Sequence, residues 1–328
     1  MTTLVLQMKD TDPYMNLAAE EYLLKNHTDD IFMVWRSRNA VIVGKHQNAL
    51  AEINHRYVRE NDICIARRLS GGGTVFHDPG NLNFTFIKNV ERVDQINYQL
   101  FTQQIIEILK KLGLEAYEGR HNAIFLDHKK ISGSADHVYR HRVLHHGTLL
   151  FSSRLDRLQS ALKVDLSRFE DKAIQSNRGE VTNISGYLKK EMTIGEFEGF
   201  IFKQVIQTYP DHRITELTSQ DLRSIEELKK EKYSQWDWIY GYSPKYKYRG
   251  EIITPGKKIS FMLAVAKGKI KESAWEGDIS GNLAGLLSSG LESLNHDYEV
   301  LKPVIMRLEQ PLHQEGIAAG LLLEKIVS

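Results

Sequence analysis

Three consecutive glycines, Gly71, Gly72 and Gly73, stand between two strand-like runs and restrict what the surrounding chain can become. Asp62-Ile63-Cys64-Ile65-Ala66 leads into Arg67-Arg68-Leu69-Ser70, and Thr74-Val75-Phe76-His77-Asp78 leads on to Leu82-Asn83-Phe84-Thr85-Phe86-Ile87. Apolar runs on both sides make the glycines a loop between sheet segments. Without Cβ atoms the loop can adopt positive φ, admit a ligand close to its backbone and aim successive N–H groups at an anion. Arg67 and Arg68 add planar, fixed positive charge suited to phosphate or carboxylate. The spacing matches neither G-x-x-x-x-G-K-[ST] nor G-x-G-x-x-G, and a strand-like segment follows where those loops open a helix. A bare triple glycine is most often a flexible hairpin; the paired arginines and Thr-Val-Phe-His-Asp favour an anion-binding loop.

At 328 residues the chain exceeds what one hydrophobic core usually holds, so two domains are expected. Lys plus Arg number 43 against 42 Asp plus Glu, and a net charge of +1 excludes long-range attraction to nucleic acid or an acidic membrane. Any cationic function must be local. One cysteine, Cys64, excludes an internal disulfide framework, fits a reducing compartment, and in its apolar strand reads as inert. The first ten residues lack a basic, apolar leader pattern and no run is long enough to span a bilayer, so a soluble, cytoplasmic protein is expected.

Asp12-Pro13 sets a cap with proline at the first helical position, and Tyr14, Leu17, Ala18 and Tyr22 share a face of a helix reaching about Asn26. Strands are expected over residues 31–36 and 40–43, a short helix near 54–61, and a turn at Asp78-Pro79-Gly80-Asn81. Ile96, Leu100, Ile105, Ile108, Leu109 and Leu112 mark an amphipathic helix closed by Gly113. Further helices are read over 155–164, 193–209 and 219–233, with Thr218 and Asp221 as a capping box for the last. Trp236, Trp238, Gly241 and Ser243-Pro244 break regular structure and place a boundary, giving a large domain over 1–241 and a small one over 242–328. Strands near 248–254, 258–266 and 270–275, then three helices ending over 317–327, make the second domain α/β.

Gly119 to Ala135 is the other informative stretch. Apolar alternation around Asp127-His128-Lys129 reads as a hairpin with Lys130 at the start of its second strand, where spacing alone suggests a solvated lysine. His137, His141 and His145 would share a face if 136–146 were helical, as a metal site requires. The strand-like His146-Gly147-Thr148-Leu149-Leu150-Phe151 that follows, without cysteine or a clear carboxylate set, favours a polar mobile loop instead.

Arg67-Arg68-x-Ser70-Gly71-Gly72-Gly73, a small residue, then Val75-Phe76-His77-Asp78 and Gly80-Asn81-Leu82-Asn83-Phe84-Thr85-Phe86 resembles the signature of lipoate-protein ligases. Supporting matches are Asn16-Leu17-Ala18-Ala19-Glu20-Glu21, Gly44-x-x-Gln47-Asn48, Lys130-Ile131-Ser132-Gly133-Ser134-Ala135, His145-His146-Gly147-Thr148-Leu149-Leu150, the Val181-Thr182-Asn183-Ile184 element within 178–184, and Trp238 with Gly241-x-Ser243-Pro244. The resemblance implies an α/β (α+β) fold: a biotin/lipoate ligase-like catalytic domain with mixed sheets and flanking helices, plus a small α/β accessory domain. It implies activation of lipoate by Mg-ATP to lipoyl-AMP, then transfer to a lysine of an acceptor protein, either the glycine-cleavage H protein or an E2 lipoyl domain of a 2-oxoacid dehydrogenase. By position, Arg68, Gly73, Thr74, Val75, Phe76 and Lys130 would hold ATP; Ser70, Gly72, His77, Lys130, Ala135 and His146 would hold the lipoyl group. Lys130 would be catalytic, its ammonium easing the approach of carboxylate to α-phosphate. No residue is assigned to Mg2+.

Two positions depart from the family pattern. Asn122-Ala123 stands where members carry Arg-Asn-Asp, and His137 where they usually carry arginine. These leave room for a non-catalytic lipoate-binding regulator. An octanoyl- or lipoyl-transferase of similar fold is the other alternative, but no cysteine lies between Lys130 and His146 to carry its thioester.

Overall fold

Asp12 starts the first helix, α1 (Pro13–Asn26): its side chain accepts the Tyr14 N–H and proline occupies the first turn. Such a cap contributes about 1 kcal/mol. The computed structural model describes residues 2–176 and 179–327. These fall into two units, the first made of Met1–Lys45, Ile63–Gln159 and Ser176–Gln235, the second of His46–Asp62, Ser160–Gln175 and Trp236–Ser328.

In the first unit the strands are β1 (Thr3–Gln7), β2 (Asp30–Arg36), β3 (Ala40–Val43), β4 (Cys64–Arg67), β5 (Val75–His77), β6 (Asn81–Asn89), β7 (Tyr117–Glu118), β8 (Ile124–Leu126), β9 (Lys129–Ser132), β10 (Ser134–Tyr139) and β11 (Arg142–Leu150). The largest sheet has the order β10-β11-β6-β2-β1, with His212–Ile214 beyond β1. β1 runs parallel to both its neighbours; the other pairs are antiparallel. β2 and most of β6 are buried on both faces, which is why they read as unbroken apolar runs. One face, carrying Phe32, Val34, Leu82, Phe84 and Phe86, joins a core with Ile105, Leu109, Phe197 and Ile201 from the helices Gln99–Lys110 and Ile194–Thr208. Alternation sends Trp35 and Thr85 to the opposite face, where Glu20 of α1 meets Thr85.

A second sheet, β4-β3-β5, carries the glycine loop. β4 is parallel to β3 with Val43 opposite Arg67, and β5 is antiparallel with Ile42 opposite Val75. The loop therefore spans one end of β3. The third sheet, β7-β8-β9, holds the expected hairpin, with Asp127 (φ 45°) and His128 (φ 61°) both left-handed as a two-residue turn of the I′ kind requires.

Residues 136–146 are neither helix nor loose loop. They form most of the β10-β11 hairpin, turned at Arg140 (φ 55°), so His137, His141 and His145 do not share a helical face. The long buried run of β11, which pairs with β6 along its whole length, decides the matter. The helix begun by the Thr218–Asp221 capping box ends at Leu228, and Lys229–Tyr233 continues as a wider turn that buries Tyr233.

The second unit is a four-stranded antiparallel sheet, Phe169–Asp171, Tyr246–Thr254, Lys257–Ala266 and Lys269–Gly277, with the helices Gly281–Leu291, Tyr298–Arg307, Glu309–Gln314 and Ala319–Val327. Within 242–328 the three expected strands are present with four helices in place of three, and Phe169–Asp171 joins their sheet from earlier in the chain. Phe169–Asp171 is too short to leave a pattern, and Leu308 breaks an apparent single helix in two. Tyr246, Tyr248 and Ile252 face the helices while Lys247, Arg249 and Glu251 point away. Among the described residues no helix is long and apolar enough to cross a membrane.

Gly147 lies on β11 where a Cβ would run into the Phe84 ring. Gly147→Ala is expected to destabilise the protein by about 1–3 kcal/mol, the usual range for overpacking, read as a lower urea midpoint with unchanged slope.

Candidate active site

Arg67 is fully buried, and its Nη1 donates to the carbonyls of Gly44 (2.9 Å) and Lys45 (3.0 Å), tying β4 to the end of β3. Arg68 braces the glycine loop from inside. Its Nε donates to Ser70 Oγ (2.9 Å), Nη1 to Ile42 O (3.2 Å), and Nη2 to Gly71 O (2.5 Å) and Gly73 O (2.8 Å). Gly72 sits at φ +80°, and a Cβ there would come 3.2 Å from Arg68 Nη2, so backbone and brace together demand glycine. Burial lowers the Arg68 pKa to about 10 against the pull of Glu20, leaving it charged at neutral pH.

Ser70 begins a buried hydrogen-bonded chain. Its Oγ lies 2.6 Å from His146 Nε2, and His146 Nδ1 lies 2.9 Å and 3.0 Å from the two Glu20 oxygens. Glu20 also accepts the Thr85 hydroxyl (2.6 Å), and Thr85 accepts the Trp35 indole N–H (3.1 Å). A carboxylate at Nδ1 favours the tautomer with the proton on that nitrogen, which leaves Nε2 to accept the Ser70 hydroxyl. Ala135 stands directly across from His146 in the β10-β11 register, and its Cβ is 3.6 Å from where a Gly72 Cβ would be. Ser70, Gly72, Ala135 and His146 thus converge from three separate stretches of chain.

Lys130 enters from β9. Its N–H donates to Glu180 O (2.8 Å) and its carbonyl accepts Thr182 N–H (3.0 Å), so the backbone is clipped to 180–182. Nζ and Cε lie 3.1 Å and 3.2 Å from where a Gly133 Cβ would stand, and glycine there leaves the ammonium its room. Among the described residues no hydrogen bond or ion pair engages that ammonium, whereas neighbouring Lys129 pairs with Glu180 at 3.2 Å. Burial, then the nearby charge of Arg68, push the Lys130 pKa down. Two cations close enough for the charge of one to act on the other make a place for an anion.

Ser176 closes the loop from the far side: Thr74 N–H donates to its Oγ (2.8 Å), and Gly73 is close enough that a Cβ would sit 3.1 Å from that oxygen. Val75 and Phe76 follow on β5, Phe76 fully buried. His77 lies under the loop, edge-on to Trp35 at 5.4 Å, with Nδ1 unpartnered; burial, Arg68 and His146 lower its pKa to about 3. Glu20, Thr85, Trp35 and Ser176 were given no role from sequence. Two consecutive glutamates, Glu20 and Glu21, inside an otherwise apolar helical stretch were the one available signal. In the family-like Val-Thr-Asn element, Arg178 lies outside the described residues, and Asn183 holds the Ser153 backbone on both sides at 2.9 Å. Within the second unit Asn48 caps Ala49–Glu52 and donates to Asp171 at 3.0 Å. Among the described residues no group of three or more His, Cys, Asp or Glu is arranged for a metal ion.

A family model described as the lipoyl protein ligase A/B catalytic domain matches residues 12–206. The chain belongs to that family. Lipoate-protein ligase LplJ of Bacillus subtilis (strain 168) is 41% identical over 275 residues, 82% of this chain and 83% of that protein. A crystal structure of lipoate-protein ligase A bound with ATP superposes with TM-score 0.64 at 26% identity, covering 74% of this chain and 100% of that one. A bi-partite lipoate protein ligase of Thermoplasma acidophilum, studied with its E2 lipoyl domain, superposes with TM-score 0.63 at 25% identity, over 74% of this chain and 96% of that one. The mixed-sheet fold of the first unit is thus the ligase fold that the glycine signature implies.

Three histidines buried in the fold titrate far below the ordinary value: His77 at about 3, and His55 and His296 at about 4, each chiefly through burial. A depressed folded-state pKa gives stability that is complete above the unfolded value and is lost as pH falls through the window below it. Stability should therefore drop from about pH 6.5 downward, by about 1 kcal/mol per buried histidine one pH unit below, as read by urea denaturation at pH 7.0 and 5.5. His77→Phe should lessen that slope.

Proposed function

We propose that this chain is an ATP-dependent lipoate-protein ligase. The carrying observation is the half-buried, unengaged Lys130 ammonium that feels the charge of Arg68, the residue that fixes the shape of the glycine loop. In the first half-reaction a lipoate carboxylate oxygen attacks the α-phosphorus of ATP and the bond to the β-phosphate oxygen breaks, giving lipoyl-AMP and pyrophosphate. Two anions must meet for that to happen. Lys130 reduces their repulsion and takes up the charge that builds on the α-phosphate in the transition state. In the second half-reaction a lysine amine of the acceptor attacks the acyl carbonyl, AMP leaves, and the new amide nitrogen loses a proton. AMP makes this possible, because a free carboxylate is a poor acyl donor.

Arg68, Gly73, Thr74, Val75, Phe76 and Lys130 are assigned to the nucleotide, with the loop's backbone N–H groups turned to its phosphates. Ser70, Gly72, His77, Lys130, Ala135 and His146 are assigned to the lipoyl group, and Glu20 holds His146 in place for it. Mg2+ enters with the triphosphate as part of the substrate. The acceptor is a lipoyl domain of an E2 component or the glycine-cleavage H protein, and the reaction belongs in the cytoplasm. Cys64 does not favour a thioester route: burial raises its pKa, disfavouring the thiolate that such a route needs.

Purified protein with lipoate, Mg-ATP and an unmodified E2 lipoyl domain should release pyrophosphate and add one lipoyl mass to the domain by intact-mass measurement. Lys130→Ala should lower pyrophosphate release at least about 100-fold while leaving the thermal midpoint nearly unchanged, the scale expected for losing an electrostatic catalyst. Full release by that variant would remove Lys130 from the site, and lipoate binding without any release by the parent protein would refute the ligase reading.

A further inference from the structure

Beside the acyl site the first unit carries a cationic strip that neither half-reaction uses. Ala135, His137 and Tyr139 alternate along β10 and so share one face, with the glycine loop at the Ala135 end. At the other end Lys25 Nζ lies 5.3 Å and the Arg140 guanidinium 5.2 Å from the Tyr139 ring centre. Between them, Glu21 on α1 binds Lys25 (2.6 Å), Lys232 (2.5 Å) and the Tyr233 hydroxyl (2.6 Å). Burial raises the Glu21 carboxyl, but those hydrogen bonds outweigh it and hold its pKa below the ordinary value. Lys45, whose N–H is bonded to Ser70 O (2.8 Å), brings a further ammonium with no hydrogen-bond or ion-pair partner among the described residues. Lys45, Lys232 and Lys25 all act on the His137 imidazole, which burial and their charge hold at about 4. The carboxylate of β10, Asp136, points to the opposite face and is taken by His145 at 2.6 Å. Glu21 thus engages Lys25 and Lys232, while among the described residues no ion pair engages Lys45 or Arg140.

We infer that this strip is the docking surface for acidic residues flanking the target lysine of the acceptor protein. The inference rests on the ligase reading and names what that site selects. An incoming lysine approaching Lys45 and Lys232 alone is repelled; one accompanied by carboxylates is drawn in, so the strip favours an acidic neighbourhood and rejects lysines at large. A nucleotide is the weaker candidate, because Arg68, Lys130 and the loop N–H groups already supply its cationic cradle.

The test measures binding and chemistry separately, with the parent protein, Lys45→Glu and Lys232→Gln. Fluorescence anisotropy of a labelled, unmodified E2 lipoyl domain reads docking without any turnover, and pyrophosphate release from lipoate and Mg-ATP reads adenylation without any acceptor. Docking by the parent should weaken at least about 5-fold between 50 and 300 mM salt. Lys45→Glu should weaken it about 5-fold or more at low salt and flatten the salt dependence, with Lys232→Gln following in the same direction and adenylation by both within about 2-fold of the parent. Unchanged docking in Lys45→Glu overturns the proposal, as does a rise in KM for ATP with docking intact, which would give the strip to the nucleotide. Normal docking effects with no pyrophosphate release by the parent would instead sink the ligase reading and leave the docking surface standing.

Discussion

The candidate site depends on one side chain turned inward. Arg68 spends its guanidinium hydrogens on Ser70, Ile42, Gly71 and Gly73, so a loop with three glycines, the least ordered composition available, is held in one shape. Glycine supplies the freedom and arginine removes it. Burial is the larger reason the pKa values of Lys130 and His77 fall, and the bracing group, itself cationic, adds to it, so one guanidinium fixes the shape of the loop and contributes to the charge around it. Preorganisation of this kind lets a charged site act without reordering itself at each turnover.

Consecutive glutamates on α1 serve opposite duties because a helix turns about 100° per residue. Glu20 faces the sheet, where Thr85 and His146 occupy it; Glu21 faces Lys25, Lys232 and Tyr233. Both are buried, which is expensive for a carboxylate unless every lone pair is engaged. Each carboxylate oxygen has a partner in both places, the Thr85 hydroxyl and the His146 ring on one side and Lys25, Lys232 and the Tyr233 hydroxyl on the other.

Local features were legible in the sequence and long-range ones were not. The Asp12-Pro13 cap, the Thr218–Asp221 capping box and the hairpin ahead of Lys130 are each decided by neighbours a few positions apart, and the structure shows all three, the hairpin's second strand starting one residue earlier than read, at Lys129. The glycine loop was visible as a loop, and the lipoate-ligase signature around it gave the family. What spacing could not show was that Glu20 reaches His146, 126 positions away, or that Ser176 meets Thr74. Reading 136–146 as a loop failed for a related reason. Histidines and arginines look solvated until β6 is known to run beside them. Nor does composition mark 46–62 and 160–175 as packing with the C-terminal strands, although Leu50 and Phe169 lie in that core.

The tandem His145-His146 gives β11 an unusual property. Adjacent residues of a strand point to opposite faces, so His146 meets Glu20 and Ser70 while His145 meets Asp136 and stacks on Phe101 at 5.0 Å. A slip of one residue would set one of two chemically identical rings in the other's place and leave hydrophobicity almost untouched, so composition alone cannot police the alignment. Asp136 and Gly147 do so instead: the first accepts a ring only from one side, and the second fits under Phe84 in one alignment. The strand is thus keyed like a lock whose two matching pins are told apart by their sockets.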